Sequence, residues 1–276
     1  MRTPKISVIV PSYNQGRYLG LTIASIVEQQ YPNLELIIMD GGSTDDSVKV
    51  IRGYERDIAY WQSQKDGGQT AALADGFLRS SGDIQCWLNS DDLHFPYTLH
   101  EVARYFDEHP SVGAVYGDTV WIDAQGAELR KQKEIGFYRF LWMYTYNYIP
   151  GMSMFWRREI YEKVGGLDPS FNLAMDADLW IRMADITRIK HMRRLWSKMR
   201  FYPEQKNVRL RDRSNEEDLR IRRRYWEGGE PRFYQLKRAI ATVSRIGLKA
   251  LTGCYGAGYQ RDLSQIADQR VLGEGK

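Results

Sequence analysis

The chain has 276 residues, 43% of them hydrophobic, which suits one large α/β domain with an appendage, or two small domains, and excludes a disordered or fibrous chain. Its formal net charge of +4 is unevenly spread: residues 1–187 hold 17 Lys and Arg against 25 Asp and Glu, and residues 188–276 hold 22 against 10, so the two parts predict different partners. Two cysteines, Cys86 and Cys254, are too few for a disulfide framework and lack metal-ligand spacing, as expected of a protein in a reducing cytoplasm.

The opening "MRTPKISVIVPSYN" sets basic residues before an apolar run that is too short for a signal peptide. That run, "ISVIVPS", predicts a strand, and "YLGLTIASIVEQQ" then puts Leu19, Ile23, Ile26 and Val27 on one helical face. "LELIIMD" predicts a second strand. "GGSTDDSVKVIRGY" follows with a Ser/Thr N-cap, acidic residues in the first turn and a Val48, Ile51 and Tyr54 stripe. "AYWQSQ", the helix "TAALADGFLRSS", the strand "DIQCWLNS", a helix carrying Leu99, Val102 and Phe106, and "VGAVYGDTVWI" continue the alternation. Such a pattern predicts a Rossmann-like, mostly parallel sheet flanked by helices, with ligands beyond the C-terminal ends of its strands.

Beyond residue 124 the alternation stops. The stretch from Phe140 to Trp156 is interrupted by Asn147, Pro150 and Gly151 and is too aromatic for a membrane span; the aromatic run from Phe137 to Tyr148 suits either stacking on a ligand or core packing. "KVGGLDPSFNLAMDADLWIRMAD" reads as a Gly-rich turn entering a helix, and past Arg188 the chain is Arg-rich with a loop expected at "RDRSNEED". The expected division is a first half over 1–123, a second half of the same domain over 124–200, and a basic helical C-terminal extension over 201–276.

Polar clusters fall at the predicted strand ends: "PSYNQG", "DGGSTDD", "KDGGQ" and "NSDD". They bring Ser12, Tyr13, Asp40, Asp66, Gln69, Asn89 and Ser90 to one sheet edge as candidate donor-nucleotide contacts. Tyr13 is placed to stack on a base, and Asp40 to accept a hydrogen bond from a base imide. A dinucleotide-binding G-x-G-x-x-G is missing after the first strand, and so is a Walker G-x-x-x-x-G-K-[ST]. A diphosphate therefore needs another partner, and adjacent carboxylates at the end of an apolar strand suggest a cation. Hard divalent ions bind through one or two carboxylates plus substrate phosphates. Asp91, helped by Asn89 or Asp92, fits a Mg²⁺ or Mn²⁺ that neutralises the departing diphosphate.

The first three motif groups, from "ISVIVPSYNQGRYLGLTIASIVEQQYPNLELIIMDGGSTDDS" through "KDGGQTAALADGF" to "GDIQCWLNSDD", resemble the nucleotide-sugar half of glycosyltransferase family 2, which has the GT-A fold. "GMSMFWRREIYEKVGGLDPSFNLAMDADLWIRM" resembles its acceptor half, so the likeness spans residues 5 to 185. The resemblance implies inverting transfer from a nucleotide-activated sugar, most often a UDP-sugar, with Mg²⁺ or Mn²⁺ required. It also implies an acidic base just ahead of a helix, at a place matched by "MDADLW": Asp176, with Asp178 as the alternative and Asp178 and Trp180 as candidate acceptor contacts. The chain departs from the family pattern at Asn89 and Gly41, where acids are common, at Ala74, where Asn is common, and at Tyr202, where an Arg-x-His element has its histidine.

The implied acceptor is a hydroxyl of a glycan or lipid-linked molecule in surface polysaccharide synthesis. In "RFYQLKRAIATVSRIGLKALTG", Phe233, Leu236, Ile240, Val243 and Leu251 share one side of a helix, with Lys237, Arg238, Arg245 and Lys249 elsewhere. Residues 232–252 thus predict an anionic membrane surface as a partner, and a cytoplasmic protein peripheral at the inner face of the membrane. No nucleic-acid-binding motif accompanies the basic tail. The alternative to a transferase is a nucleotide-sugar-binding scaffold of the same fold that has lost transfer. A nucleotidyltransferase would instead show a Gly-rich, Arg-containing loop where this chain has "PSYNQG".

Overall fold

Ile6–Ser12 (β1) is buried at every residue, as its unbroken apolar run requires of a strand covered on both faces. The computed structural model describes residues 3–226 and 229–255. Around β1 the chain lays down α1 (Gly16–Val27), β2 (Leu34–Asp40), α2 (Ser47–Gly53), β3 (Tyr60–Ser63), α3 (Gln69–Arg79) and β4 (Ile84–Trp87). β2 and β4 both pair parallel with β1, and β3 parallel with β2. The register Ser12↔Asp40↔Ser63 aligns three strand ends at one edge. Because β1 lies between β2 and β4, the strand order reverses there, and a crevice opens beyond the strand ends.

The second half extends the same sheet. It adds β5 (Leu93–His94), α4 (Thr98–Glu108), β6 (Ala114–Ile122), β7 (Glu128–Gln132), α5 (Arg139–Tyr144), a 3₁₀ turn (Gly151–Ser153), β8 (Met154–Arg157), α6 (Arg158–Lys163), α7 (Met175–Ile186) and β9 (Ile189–Arg200). The sheet runs β3-β2-β1-β4-β8-β6-β9-β5, with β7 paired to β6. β8 is antiparallel to both neighbours, while the two longest pairings, β1–β2 and β6–β9, are parallel. This is the mixed α/β fold with a mostly parallel sheet and flanking helices expected of GT-A, followed by the helices α8 (Lys206–Arg209), α9 (Arg211–Arg224) and α10 (Tyr234–Leu251).

The Arg-rich stretch beyond Arg188 contains a twelve-residue strand, β9, whose exposed residues Lys190, Arg193 and Arg194 break the period of two where its register with β6 shifts around Asp118. "RDRSNEED" lies in α9 rather than in a loop; the Asp218–Arg222 ion pair at 2.7 Å, four residues apart, is the kind of helical support its charges allow.

Three tryptophans join α7 to the sheet. Trp87 and Trp180 stack with centroids 5.2 Å apart and planes 8° apart, and Trp156 tilts against both. Gly76 lets α3 press on β1: a Cβ there would come within 2.4 Å of Ile9 Cγ2.

Candidate active site

The crevice at the strand ends is a cavity of about 840 Å³, of the size that encloses a cofactor-sized ligand. The β1 loop contributes Ser12, Tyr13 and Gln15, the β2 loop Gly41 and Gly42, the β3 loop Lys65, Asp66 and Gln69, and the β4 loop Asn89, Ser90 and Asp91. All four expected polar loops therefore converge. Tyr13 is 62% exposed, free to meet a flat ligand. The Ser12 hydroxyl is buried with no hydrogen-bond partner among the described residues, an unmet capacity in the wall of a site. Gly41 is glycine because Asp66 is its neighbour: a Cβ at 41 would stand 3.1 Å from Asp66 Oδ2, and an acid there would face an acid.

A fifth wall was not anticipated. Tyr202, Glu204, Gln205, Lys206, Arg209 and Leu210 close the cavity from the segment after β9. Lys206 Nζ donates to Gln69 Oε1 at 3.2 Å and to the Asn172 carbonyl at 2.8 Å. Burial holds its pKa below the usual lysine value, against the pull of Glu217. The only sequence signal for this wall was the departure at Tyr202 itself.

The acidic loop is held from below. The Thr22 hydroxyl, on α1, reaches the carbonyls of Ser90 and Asp92, each at 2.9 Å. Arg200, 1% exposed, donates its backbone N–H to Asp92 Oδ1 at 2.9 Å, its Nε to the Asp91 carbonyl at 2.9 Å and its Nη1 to the carbonyls of Asp123 and Ala124. Its guanidinium also lies 4.4 Å from the Tyr18 ring centroid.

Asp91 and Asp92 divide their work. Asp91 lines the cavity, and its Oδ2 accepts from the Tyr202 hydroxyl at 2.9 Å. Asp92 is fully buried, its second oxygen accepting from Asn89 Nδ2 at 2.8 Å, so it cannot assist a cation in the cavity; it anchors the loop. Burial raises the pKa of both, and the Asp91 charge raises that of Asp92 further. Asn89 Oδ1 accepts from Gln69 Nε2 at 2.9 Å. Among the described residues no three His, Cys, Asp or Glu side chains form a metal cage. What this chain offers a cation is Asp91 with the Asn89 carbonyl, which fits an ion that completes its shell with phosphates and water.

Other candidates take different positions. Asp40 is 1% exposed and outside the cavity wall: its carboxylate accepts from the Gly42 and Ser43 N–H groups and from the Ser43 and Ser63 hydroxyls. It shapes the β2 loop. Asp178 and Trp180 do not meet an acceptor. Asp178, 1% exposed, is bound by Arg182 through Nε at 2.8 Å and Nη2 at 2.6 Å, and Trp180, at 0%, is stacked in the core. Asp178 lies on the opposite side of α7 from Asp176, while Trp180, one turn on from Asp176, is covered by Trp87.

Asp176 opens α7 with a partly accessible side chain. Its Oδ1 accepts from the Ala177 N–H and its Oδ2 from Asn147 Nδ2, each at 2.8 Å. Burial pushes its pKa up to about 6, with the Asp218 charge adding to the rise, while the Ala177 and Asn147 hydrogen bonds oppose it. Gly151 leaves approach room: a Cβ there would be 3.7 Å from Asp176 Oδ2. The preceding loop is tied to the donor side, since the Phe171 carbonyl accepts from the Thr70 hydroxyl at 2.7 Å. Glu217 Oε2, on α9, accepts the backbone N–H groups of Asn172, Leu173 and Ala174 at 2.8–3.0 Å.

Comparison with known proteins agrees with this architecture. Residues 7–165 match the model of glycosyl transferase family 2. An uncharacterized glycosyltransferase of Mycobacterium tuberculosis is 31% identical over 183 residues, covering 66% of this chain and 69% of that one. An uncharacterized glycosyltransferase of Rickettsia prowazekii is 25% identical over an alignment of 289 positions, covering 98% and 87%. Among solved structures, S. aureus TarS 1-349 in complex with UDP-GlcNAc superposes with a TM-score of 0.65 at 17% identity, covering 86% of this chain and 69% of that one. The mannosyltransferase PcManGT from Pyrobaculum calidifontis, in complex with GDP-Man and Mn²⁺, does so at 0.63 and 18%, covering 99% and 81%. With a family match over more than half its length, and a cavity built from the loops that carry the family's motifs, the chain belongs to glycosyl transferase family 2 and is a glycosyltransferase that uses a nucleotide-sugar donor.

Proposed function

We propose that the protein is an inverting transferase that moves a sugar from a nucleoside diphosphate sugar, a UDP-sugar first among candidates, to a hydroxyl of a glycan or lipid-linked acceptor in surface polysaccharide synthesis. In this reading residues 1–123 bind the donor, 124–200 supply the acceptor side and the base, and 201–276 are a basic helical extension. The observation that carries it is the position of Lys206, which bonds both to Gln69 in the donor cavity and to the Asn172 carbonyl, four residues ahead of Asp176. That link supports setting the start of α7 against the donor.

In a single displacement, the acceptor oxygen attacks the anomeric carbon as Asp176 takes its proton, and the bond from that carbon to the diphosphate oxygen breaks on the opposite face. A carboxylate whose pKa lies near 6 is largely ionised at neutral pH, yet more basic than an ordinary aspartate. Lys65, Lys206 and Arg209 line the cavity and offset charge on the leaving diphosphate. Mg²⁺ or Mn²⁺, held by Asp91 with Asn89, would add Lewis-acid neutralisation there. Tyr13 flanks the base, Ser12, Gln69 and Ser90 bond the donor, and Asp40 and Asp66 act through the loop backbones they brace. The acceptor is met at the inner, cytoplasmic face of an anionic membrane, reached through residues 232–252.

The test is nucleoside diphosphate release across UDP-, GDP- and dTDP-sugars with Mn²⁺, Mg²⁺ or EDTA. Release from one donor, dependent on metal and on Asp91, and lost in Asp176→Asn while calorimetry still shows donor binding, is the expected result. Transfer that survives Asp176→Asn would overturn the assignment of the base.

A further inference from the structure

α10 is docked by its charged side. Arg245 Nη2 meets Glu134 Oε2 at 2.9 Å and Lys249 Nζ meets Glu134 Oε1 at 3.0 Å, with Glu134 2% and Lys249 3% exposed. Ala241 lies buried between them and the Tyr234 ring, which packs on Trp226 and Tyr144. Arg245 and Lys249, counted in the sequence among charges left for lipid headgroups, instead hold the helix on the domain. Undocking the helix would leave the buried Glu134 charge without its partners.

The consequence is that the apolar stripe faces out. Phe233, Leu236, Ile240, Val243, Ile246 and Leu251 are all exposed, Val243 at 70% and Leu251 at 86%, and no described part of the chain covers them. A continuous apolar helix face left in water marks an interaction surface. Its surroundings indicate the partner. No Asp or Glu occurs between Arg232 and Tyr255; Arg232 and Arg238 are exposed at the helix's N-terminal end, and beside Leu248 a cavity of about 440 Å³ carries Lys190, His191 and Arg193. Exposed Tyr138, Phe140 and Tyr146 stand just before, on and just after α5, against which α10 packs, and tyrosine favours a membrane–water interface. A second copy seated on this face by a two-fold axis would bring basic residues against basic residues.

We infer that the outward face of α10 is a membrane seat: the helix lies in the plane of an anionic phospholipid surface with its apolar stripe among the acyl chains. This deepens the proposed reading of a membrane-bound acceptor and is independent of the transfer chemistry. Because the internal basic residues are engaged with Glu134, apolar insertion is the main attraction and the outer basic residues tune it. Binding therefore survives high salt in part, unlike a purely electrostatic contact.

The full chain is floated with phosphatidylcholine vesicles with and without phosphatidylglycerol. The expected result is flotation that phosphatidylglycerol strengthens and high salt only weakens. The variant Leu236→Ser/Ile240→Ser/Val243→Ser loses about 100-fold or more in partitioning, and Arg232→Glu/Arg238→Glu loses the preference for phosphatidylglycerol by about fivefold per charge removed. Nucleoside diphosphate release by donor hydrolysis without membranes, and the far-ultraviolet dichroism spectrum, stay unchanged in both variants, which separates failure of the seat from failure of the transferase reading. Flotation unaffected by the triple variant, or absent with every vesicle, overturns the inference. So does a concentration-dependent dimer in sedimentation that the triple variant abolishes, because a second copy would then be the occupant.

Discussion

The Tyr202 hydroxyl donates to Asp91 Oδ2 at 2.9 Å and in turn accepts from Gln15 Nε2 at 3.2 Å. A residue at the place of the family's histidine thus reaches the acidic loop as a hydrogen-bond donor. It competes with any cation for one Asp91 oxygen. Tyr202→Phe should lower the Mn²⁺ concentration needed for half-maximal metal-supported UDP binding by about fivefold, and reduce stability by about 1–2 kcal/mol. Calorimetric titration of metal and nucleotide reads the first effect. An unchanged midpoint would mean that a cation uses only the other oxygen.

Arg200 places a full positive charge under the Asp91–Asp92 loop and is almost completely buried. Arg200→Met keeps the stem but leaves the neighbouring carboxylates without that charge and the carbonyls of Asp91, Asp123 and Ala124 without its donors. The expected cost is about 3–5 kcal/mol, read by urea unfolding. A loss under about 1 kcal/mol would mean that water or proton uptake replaces the guanidinium.

The first half of the fold was legible because each buried strand is a short apolar run closed by a polar loop, and that signal is local. It placed Ser12, Gln69, Asn89 and Asp91 together in one cavity wall. It failed where a residue's role depends on distant partners. Asp40 looks available in sequence and is saturated by Ser43 and Ser63 in the fold. Asp92 looks equivalent to Asp91, and partners more than a hundred residues away distinguish them: the Arg200 N–H on the carboxylate of Asp92 and the Tyr202 hydroxyl on that of Asp91. Trp180 reads as a candidate sugar platform until Trp87 stacks on it. The wall from Tyr202 to Leu210 has no periodicity to read, and the orientation of α10 was hidden because Glu134, its anchor, lies over a hundred residues earlier.

Glu217 gathers three consecutive backbone N–H groups, Asn172 to Ala174, immediately before α7. It touches neither the donor cavity wall nor the carboxyl of Asp176, so it is a positioning residue. Glu217→Ala should free that loop and lower kcat about tenfold or more, since misplacement of a catalytic group is costly, while the calorimetric Kd for UDP stays within about twofold of the native value. Glu217→Gln, which keeps an acceptor oxygen, should recover most of kcat. Equal losses in kcat and in nucleotide affinity would show that Glu217 supports the whole fold.

Asp176 has a raised pKa, and as the proposed base it must be ionised to act. Transfer should fall tenfold per pH unit below about pH 6, as the carboxyl becomes protonated. The stability consequence has the opposite sense. A carboxyl whose folded pKa lies above its unfolded value favours the fold when protonated, and that contribution is lost as pH rises from the unfolded value, near 4, through about 6. At pH 8 the ionised carboxylate therefore costs the fold about 2–3 kcal/mol. Asp176→Asn, which keeps one oxygen for only one of the Asn147 and Ala177 donors, should abolish transfer and raise the unfolding free energy at pH 8 by less than that amount, with the gain vanishing near pH 4. Thermal unfolding of both proteins across that range measures it. An inactive variant with no gain in stability at pH 8 would show that Asp176 is better solvated than its setting at the start of α7 implies.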